Sequence, residues 1–256
     1  MIASNQLKAA INAKGVSIET MEIVTGGGNN TIYKATDANG KHYAVKCYSH
    51  REAVENERLN REFSALAFLQ AHNVTNVPCV HEKDLSEHFA IYDWIEGGRV
   101  KDVKQHHVDG LIDFLSQLKT LSLMSDAKKL ESAKDACLSA TDLLGLIQNR
   151  FDRLNHLESA DTKVKQFVTH DCLQLYVQLE KNVQQIYQAH GVKLDHKIDL
   201  LHQTLSPSDY GFHNALETKA GELYFLDFEY FGWDDPVKMV SDFMWHPGQN
   251  VSDALK

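Results

Sequence analysis

One arrangement of polar residues constrains this chain more than any other feature of its sequence. Residues 206–214 read SPSDYGFHN, so Asp209 and Asn214 stand five positions apart in a loop rich in Ser, Pro and Gly. A short apolar strand over residues 223–226 then leads to Asp227, thirteen positions after Asn214. A lone Asp in such a loop usually forms an Asx turn. Two acids and an amide in this order instead predict polar side chains that face one cleft.

A second set of polar residues lies in the N-terminal part of the chain. Alternation over the predicted strand 42–48 places Lys46 on the same face as Ala44. Glu62 falls on or beside the apolar stripe of a helix predicted over residues 55–72. A buried carboxylate without a partner is costly, so Glu62 needs a cation, and Lys46 is the natural candidate. A lysine that extends from a sheet surface into solvent is the alternative.

A cluster of glycines and asparagines at residues 26–30 precedes Lys46 and separates two predicted strands. Glycine lets backbone N–H groups approach phosphate oxygens closely. The segment matches neither GxGxxG nor GxxxxGK[ST], so a plain flexible turn remains open. Asn39 and Gly40 predict a tight hairpin turn before the next strand.

The pattern along the chain divides it into two regions. Up to about residue 97 it is β-rich with one helix, and over residues 106–190 it is helical, with Gly191 as a predicted C-cap. Short strands and loops follow. We therefore predict an α+β chain with a β-rich lobe over residues 1–97 and a helical lobe over residues 98–256. Near the end, Asp235 and Pro236 predict an N-cap and the first position of a last helix. Trp233 is expected in the core, with a position that lines the nucleotide or acceptor site as the alternative.

Composition excludes several classes of protein. A formal net charge of −9 over 256 residues disfavours nucleic-acid binding, which needs clustered Lys and Arg. The N-terminus lacks the apolar core of a signal peptide, and no apolar run approaches the roughly 18 residues of a membrane span. The four cysteines are far apart, and His106–His107 indicates a solvated helix start rather than a metal site. A cytoplasmic protein with reduced cysteines is predicted.

The order of these motifs resembles the aminoglycoside phosphotransferase and choline kinase families. The resemblance covers about residues 20–247 and rests on four matching segments: Ala44-Val45-Lys46, Glu62, Asp209-x4-Asn214 and Asp227-Phe228-Glu229. The stretch Leu226-Asp227-Phe228-Glu229-Tyr230 is especially similar to the metal-binding stretch of choline kinases. The resemblance implies a bilobal protein-kinase-like fold, with a small β-rich N-terminal lobe and a larger, mainly helical C-terminal lobe.

The resemblance also implies an activity, the transfer of the γ-phosphate of MgATP to a hydroxyl group of a small molecule. Lys46 would hold phosphates and Glu62 would hold Lys46. Asp209 would be the catalytic base, and Asn214 and Asp227 would bind Mg²⁺. Aminoglycosides, choline-like alcohols, sugars and nucleosides all remain open as acceptors.

The resemblance implies further contacts to ATP. Residues 91–95 would be the hinge, and the backbone at Asp93 and Ile95 would read adenine. The remaining implied nucleotide contacts are Gly27, Gly28, Asn29 and Ala44.

The chain departs from the family pattern in three places. Pro207 stands where the family has a His, two residues before Asp209. Glu229 replaces the Gly of the protein-kinase DFG motif, which favours the small-molecule branch. The chain stops soon after residues 246–247, whereas family members carry more C-terminal helix, so the expectation is a C-terminal truncation. The main alternative is a catalytically inactive nucleotide-binding or scaffold module of the same fold. A protein kinase is disfavoured because no APE segment and no activation-loop stretch follow Asp227.

Overall fold

Alternating apolar residues in the first third of the chain build one antiparallel sheet. The structure, a computed structural model, describes residues 4–24, 30–48, 54–155, 161–246, 248 and 251–252. The sheet has the spatial order β1-β2-β3-β5-β4, with strands β1 (Ile18–Ile23), β2 (Thr31–Asp37), β3 (His42–Cys47), β4 (Val80–Asp84) and β5 (Phe89–Asp93). Gly40 adopts φ +80° and its N–H donates to the Asp37 carbonyl at 3.0 Å. The predicted β2–β3 hairpin turn is therefore confirmed.

The two faces of this sheet have different partners. Helix α1 (Ser4–Ala13) covers one face with Leu7 and Ile11, which pack in one cluster with Val45 and other strand residues. Helix α2 (Val54–Ala71) belongs to the core on the other face. Because side chains alternate along a strand, Val45 points to α1 and Lys46 points toward α2.

The second half of the chain is mainly helical, with two small sheets. Its helices are α3 (Gln105–Leu121), α4 (Ala140–Asn155), α5 (Thr162–Gln166), α6 (Leu173–Ala189) and α7 (Pro236–Trp245), and a π-helical segment, Phe167–Cys172, joins α5 to α6. Its strands are β6 (Gly98–Arg99), β7 (Thr204–Ser206), β8 (Ala215–Glu217), β9 (Leu223–Phe225) and β10 (Gly232–Asp234). They form the sheets β6-β8-β9 and β10-β7. The division at residue 97 stays a prediction.

One large core links α2 to this second half. The rings of Phe114 in α3 and Phe225 in β9 stack at 4.3 Å between centroids, and Phe228 meets Phe114 edge-on at 6.2 Å. Trp233 is buried as predicted, and its Nε1–H donates to the Ala127 carbonyl at 3.0 Å. This packing sets the loops that follow β7 and β9 next to the first sheet.

Helix boundaries follow local chemistry. Helix α7 begins with Pro236 after Asp235, whose carboxylate accepts the Val237 N–H at 2.7 Å, so the predicted N-cap is confirmed. Gly191 follows α6 with φ +65°, which glycine adopts without strain, and the predicted C-cap is also confirmed. None of the helices in the described ranges combines the length and the apolar character that crossing a bilayer requires.

The apolar stripes of α4 to α6 are helical as predicted, but most of their members are not buried. Leu175 is 68% exposed and Phe167 is 57% exposed. The helices meet through Phe151 and Tyr176, whose ring centroids lie 5.4 Å apart, and the Tyr176 hydroxyl donates to the Leu144 carbonyl. Because this contact uses one edge of each helix, the rest of each stripe points outward.

Candidate active site

Lys46 lies at the centre of a buried ionic cluster. Its Nζ is 2.7 Å from Glu62 Oε2 and 2.6 Å from Asp227 Oδ1, and Glu229 Oε2 lies at 3.7 Å. The ion pair that the sequence predicts between Lys46 and Glu62 is therefore present. Burial by itself would lower the pKa of Lys46, but Glu62, Asp227 and Glu229 outweigh it and raise this pKa above its usual value. The lysine is held as a cation.

Two buried tyrosines form hydrogen bonds on the Glu62 side of this cluster. The Tyr48 hydroxyl donates to Glu62 Oε2 at 2.6 Å, and the Tyr92 hydroxyl is 3.0 Å from that of Tyr48. Burial and the Glu62 charge raise the pKa values of both phenols, so they stay protonated. Burial also raises the pKa of Glu62, and Lys46 offsets part of that rise. The carboxylate thus has one cationic and one neutral donor, which fixes its orientation.

Glu229 connects the cluster to the start of β2. It is 5% exposed, and its Oε2 accepts a hydrogen bond from Asn30 Nδ2 at 3.0 Å. Its second oxygen lies 3.7 Å from an Arg58 guanidinium nitrogen in α2. Glu229 therefore contacts groups from β3, α2 and the residue before β2.

The loop after β7 carries Asp209. His213 Nε2 lies 3.0 Å from Asp209 Oδ1, and this hydrogen bond lowers the pKa of Asp209 against the opposing effect of burial. The Asn214 side-chain amide donates to the Asp209 carbonyl at 2.9 Å and closes the loop. Ser208 adopts φ +66°, and its N–H donates to Ser206 Oγ at 3.0 Å. Asp209 is thus an ionised carboxylate, 44% exposed at its side chain.

The hairpin of β8 and β9 brings the other two residues of the predicted motif together. Ala215 pairs with Phe225, and the Leu226 N–H donates to the Asn214 carbonyl at 2.8 Å. Asp227 follows directly, with φ +66°, so the chain turns there toward Lys46. Because the Asn214 NH₂ group is engaged by Asp209, its amide oxygen is the end left for a ligand. A carboxylate and an amide oxygen suit Mg²⁺.

The other predicted nucleotide contacts have different outcomes. Gly27, Gly28 and Asn29 lie outside the described residues. Ala44 pairs with Tyr92 in the β3–β5 ladder. The Asp93 N–H donates to the Cys79 carbonyl at 2.9 Å, and its side chain is bonded to His81 at 2.7 Å. The Asp93 N–H is thus engaged by Cys79, and the contact of the Asp93 backbone with adenine stays a prediction.

Ile95 follows β5 and is half-buried, and its contact with adenine stays a prediction.

The histidines at the start of α3 require a correction. His107 is 1% exposed, so it is not part of a solvated helix start. The Lys104 N–H donates to His107 Nδ1 at 3.0 Å, which places the ring proton on Nε2, 3.1 Å from Glu217 Oε1. A metal would need a lone pair on that same Nε2. In this tautomer His107 Nε2 offers no lone pair to a metal, and within the described residues it lies 3.1 Å from Glu217 Oε1 without making a hydrogen bond of acceptable geometry.

Comparison with known proteins agrees with this arrangement. The model of the phosphotransferase enzyme family (APH) matches residues 20–248. The chain belongs to this family. The assignment confirms the predicted enzyme class, a small-molecule phosphotransferase, and the suspected resemblance. No curated protein sequence matches the chain.

Solved structures of phosphotransferases share the fold of this family member. The ternary complex of APH(2'')-IIa with streptomycin and ATP is 18% identical, with a TM-score of 0.60, over 92% of this chain and 74% of that one. Macrolide 2'-phosphotransferase MphH from Brachybacterium faecium is 13% identical, with a TM-score of 0.59, over 92% and 75%. Choline kinase LicA from Streptococcus pneumoniae is 16% identical, with a TM-score of 0.58, over 93% and 72%. The predicted kinase-like α+β fold is confirmed.

Three contacting residues of this phosphotransferase were not assigned from its sequence. Tyr48 is two positions after Lys46, so strand alternation already places it on the same face. Glu229 was interpreted only as a marker of the small-molecule branch, although it is two positions after Asp227 in the same loop. His213 carries the weakest signal, since its contact with Asp209 depends on the shape of the loop.

Proposed function

We propose that this protein transfers the γ-phosphate of MgATP to a hydroxyl group of a small molecule. The observation that carries the proposal is the position of Lys46. This buried ammonium is held by Glu62 from α2 and meets Asp227 from the loop after β9. A cation held in this way between the first sheet and the loop region is suited to bind phosphate oxygens.

The cluster combines cationic side chains with carboxylates, and this combination suits a phosphate that binds together with a metal cation. Lys46 and Arg58 face three carboxylates, those of Glu62, Asp227 and Glu229. A phosphate would compete with Asp227 for the Lys46 ammonium, which would leave the Asp227 carboxylate for a metal. Asn214 and Asp227 would hold Mg²⁺, which when bound neutralises charge on the ATP phosphates.

Asp209 would orient the acceptor. Its lowered pKa keeps it ionised at neutral pH, and an ionised carboxylate accepts hydrogen bonds only. An acceptor hydroxyl that donates to Asp209 is thereby aligned for attack, in a reaction that depends mainly on positioning and charge neutralisation.

The proposed acceptor is a small molecule with a hydroxyl group, and several classes of such molecules are candidates. Family membership supports a small-molecule acceptor. The structures of similar fold include a complex with streptomycin and a choline kinase. We therefore propose aminoglycosides, choline-like alcohols, sugars and nucleosides as the classes to test.

A second candidate is a module that binds nucleotide without transferring phosphate. One observation favours it: Pro207 has neither an N–H nor a polar side chain with which to support Asp209 from the preceding side of the loop. This candidate shares the nucleotide site and differs only in turnover.

A transfer assay separates the two candidates. The full chain is incubated with Mg²⁺, ATP labelled at the γ-phosphate and a panel of the four acceptor classes, and labelled products are identified by mass spectrometry. We expect at least one acceptor to be phosphorylated by the wild type and at least about 10²-fold more slowly by Asp209→Asn. Binding of MgATP without any labelled product would favour the inactive module. Failure to bind MgATP would contradict the nucleotide site itself.

A further inference from the structure

The Asp209 carboxylate is contacted by a residue of its own loop. His213 Nε2 lies 3.0 Å from Asp209 Oδ1, and both side chains are only partly exposed, at 26% and 44%. Because an ionised carboxylate has no proton to donate, His213 Nε2–H must be the donor. The contact therefore requires a proton on His213 Nε2 and engages one oxygen of Asp209.

The His213 ring is itself held in place. It lies parallel to the His246 ring, at 4.5 Å between centroids and an interplanar angle of 5°. His213 also sits in the short 3-10 turn Phe212–Asn214, immediately before Asn214. The plane and the position of the donor are thus set by the stack and the turn together.

Two other polar side chains of this loop donate to backbone carbonyls. Asn214 Nδ2 donates to the Asp209 carbonyl at 2.9 Å, and Ser208 Oγ donates to the Lys134 carbonyl at 3.0 Å. Pro207 has no donor to offer. Those backbone bonds fix where the loop runs. The orientation of the carboxylate about χ2, a soft torsion in Asp, depends on the side chains that bond to it, of which His213 lowers the Asp209 pKa most and Asn214 adds a smaller effect.

We infer that His213 is a positioning residue for phosphoryl transfer: it holds Oδ1 of Asp209 and leaves Oδ2 directed at the acceptor hydroxyl. The inference rests on the proposed function and adds the group that orients the base in this chain. It also weakens the case for an inactive module, because the donor that Pro207 cannot supply comes from the other side of the loop.

Two substitutions of His213 distinguish a positioning role from simple packing. His213→Gln can place its amide nitrogen near the position of Nε2 and keep the donor. His213→Leu has a similar bulk without a donor. The matched control is His72→Leu, because His72 Nε2 lies 2.9 Å from Asp126 Oδ2 with side-chain exposures of 21% and 43%. That pair resembles His213–Asp209 in chemistry and burial but lies at the end of α2.

Steady-state kinetics with a phosphorylated acceptor give the first readout. Misplacement of a reacting group by about 1 Å costs up to about 10²-fold, so kcat of His213→Leu should fall by about 10- to 100-fold. His213→Gln should stay within about fivefold of wild type, since it keeps a donor. The KM for ATP should change little in both variants, and His72→Leu should match wild type. Equal losses in the Gln and Leu variants, or full activity in His213→Leu, would overturn the inference.

Crystal structures of the wild type and both His213 variants give a readout that needs no acceptor. The Asp209 carboxylate should keep its orientation in His213→Gln and rotate in His213→Leu. An unchanged carboxylate in His213→Leu would overturn the inference, even if no acceptor were found. Absence of transfer by the wild type, with the carboxylate rotated only in His213→Leu, would count against the proposed function and leave His213 as the residue that orients Asp209.

Discussion

Replacement of Lys46 by Met removes the cation that three carboxylates share. Glu62 and Glu229 are 4% and 5% exposed, so neither can recover its lost partner from bulk water. Removal of one partner from a buried ion pair typically costs about 3–5 kcal/mol. Glu62 keeps the hydrogen bond from Tyr48, and Glu229 keeps that from Asn30. We therefore expect Lys46→Met to lower the free energy of unfolding by about 3–5 kcal/mol at pH 8.

Glu62→Gln is the matched perturbation from the other side of the pair. The amide keeps the shape of the side chain, and Lys46 keeps Asp227 at 2.6 Å and Glu229 at 3.7 Å. The loss is then close to that of one charged hydrogen bond, about 1.5–3 kcal/mol at most. The structure therefore predicts an asymmetry, in which loss of the cation shared by three carboxylates costs more than loss of one of those carboxylates.

The cost of Lys46→Met should depend on pH. Burial raises the pKa of Glu62 even in the wild type, and removal of Lys46 takes away the charge that offsets this rise. A carboxyl group whose pKa is raised in the folded state destabilises the fold above its unfolded pKa, about 4.3, and this penalty grows until the folded pKa is passed. Lys46→Met should consequently be less destabilised at pH 5 than at pH 8.

Urea unfolding of the wild type and both variants at pH 5 and pH 8 measures these differences, provided that the slope m is unchanged. The expected order of midpoints at pH 8 is wild type, then Glu62→Gln, then Lys46→Met. Equal midpoints for the two variants, or a larger loss for Lys46→Met at pH 5 than at pH 8, would refute the view that Lys46 is the main cation of the cluster.

Three further predictions concern the proposed metal ligand Asp227, the close packing at Gly232 and the helix cap at Asp235. Asp227→Ala should weaken MgATP binding in calorimetry by about tenfold or more, because the best proposed metal ligand is lost; unchanged affinity would remove that assignment. A Cβ at Gly232 would overlap backbone atoms of residues 131–133, so Gly232→Ala should lower the melting temperature far more than Gly98→Ala, where nothing lies within 4 Å. Asp235→Ala should cost about 1 kcal/mol in urea unfolding through loss of an N-cap, and no change would contradict that cap.

Local patterns were sufficient for much of the fold and for the first ion pair. Alternation in β3 set the face of Lys46, and helical spacing in α2 set that of Glu62, so their contact needed only that two consecutive elements pack together. The cap of α7 at Asp235 was equally local, because its donor is two residues away.

Contacts between distant segments were not accessible in this way. Asn30 and Glu229 are 199 residues apart in sequence, and no periodicity relates them. The contact between His213 and Asp209 depends on loop dihedral angles that residue types do not specify. Periodicity also predicted the apolar stripes of α4 to α6 but not their exposure, since burial depends on which elements cover a helix.

The most direct test of the central claim compares wild type with Asp209→Asn in two measurements, acceptor phosphorylation and MgATP affinity. Asp209 contacts the acceptor rather than the nucleotide in the proposed site, so its loss should spare nucleotide binding. We expect kcat to fall by about 10²–10⁴-fold, while the Kd for MgATP changes by less than about tenfold. Equal turnover by the two proteins would contradict the account, because Asp209 would then have no role in the transfer.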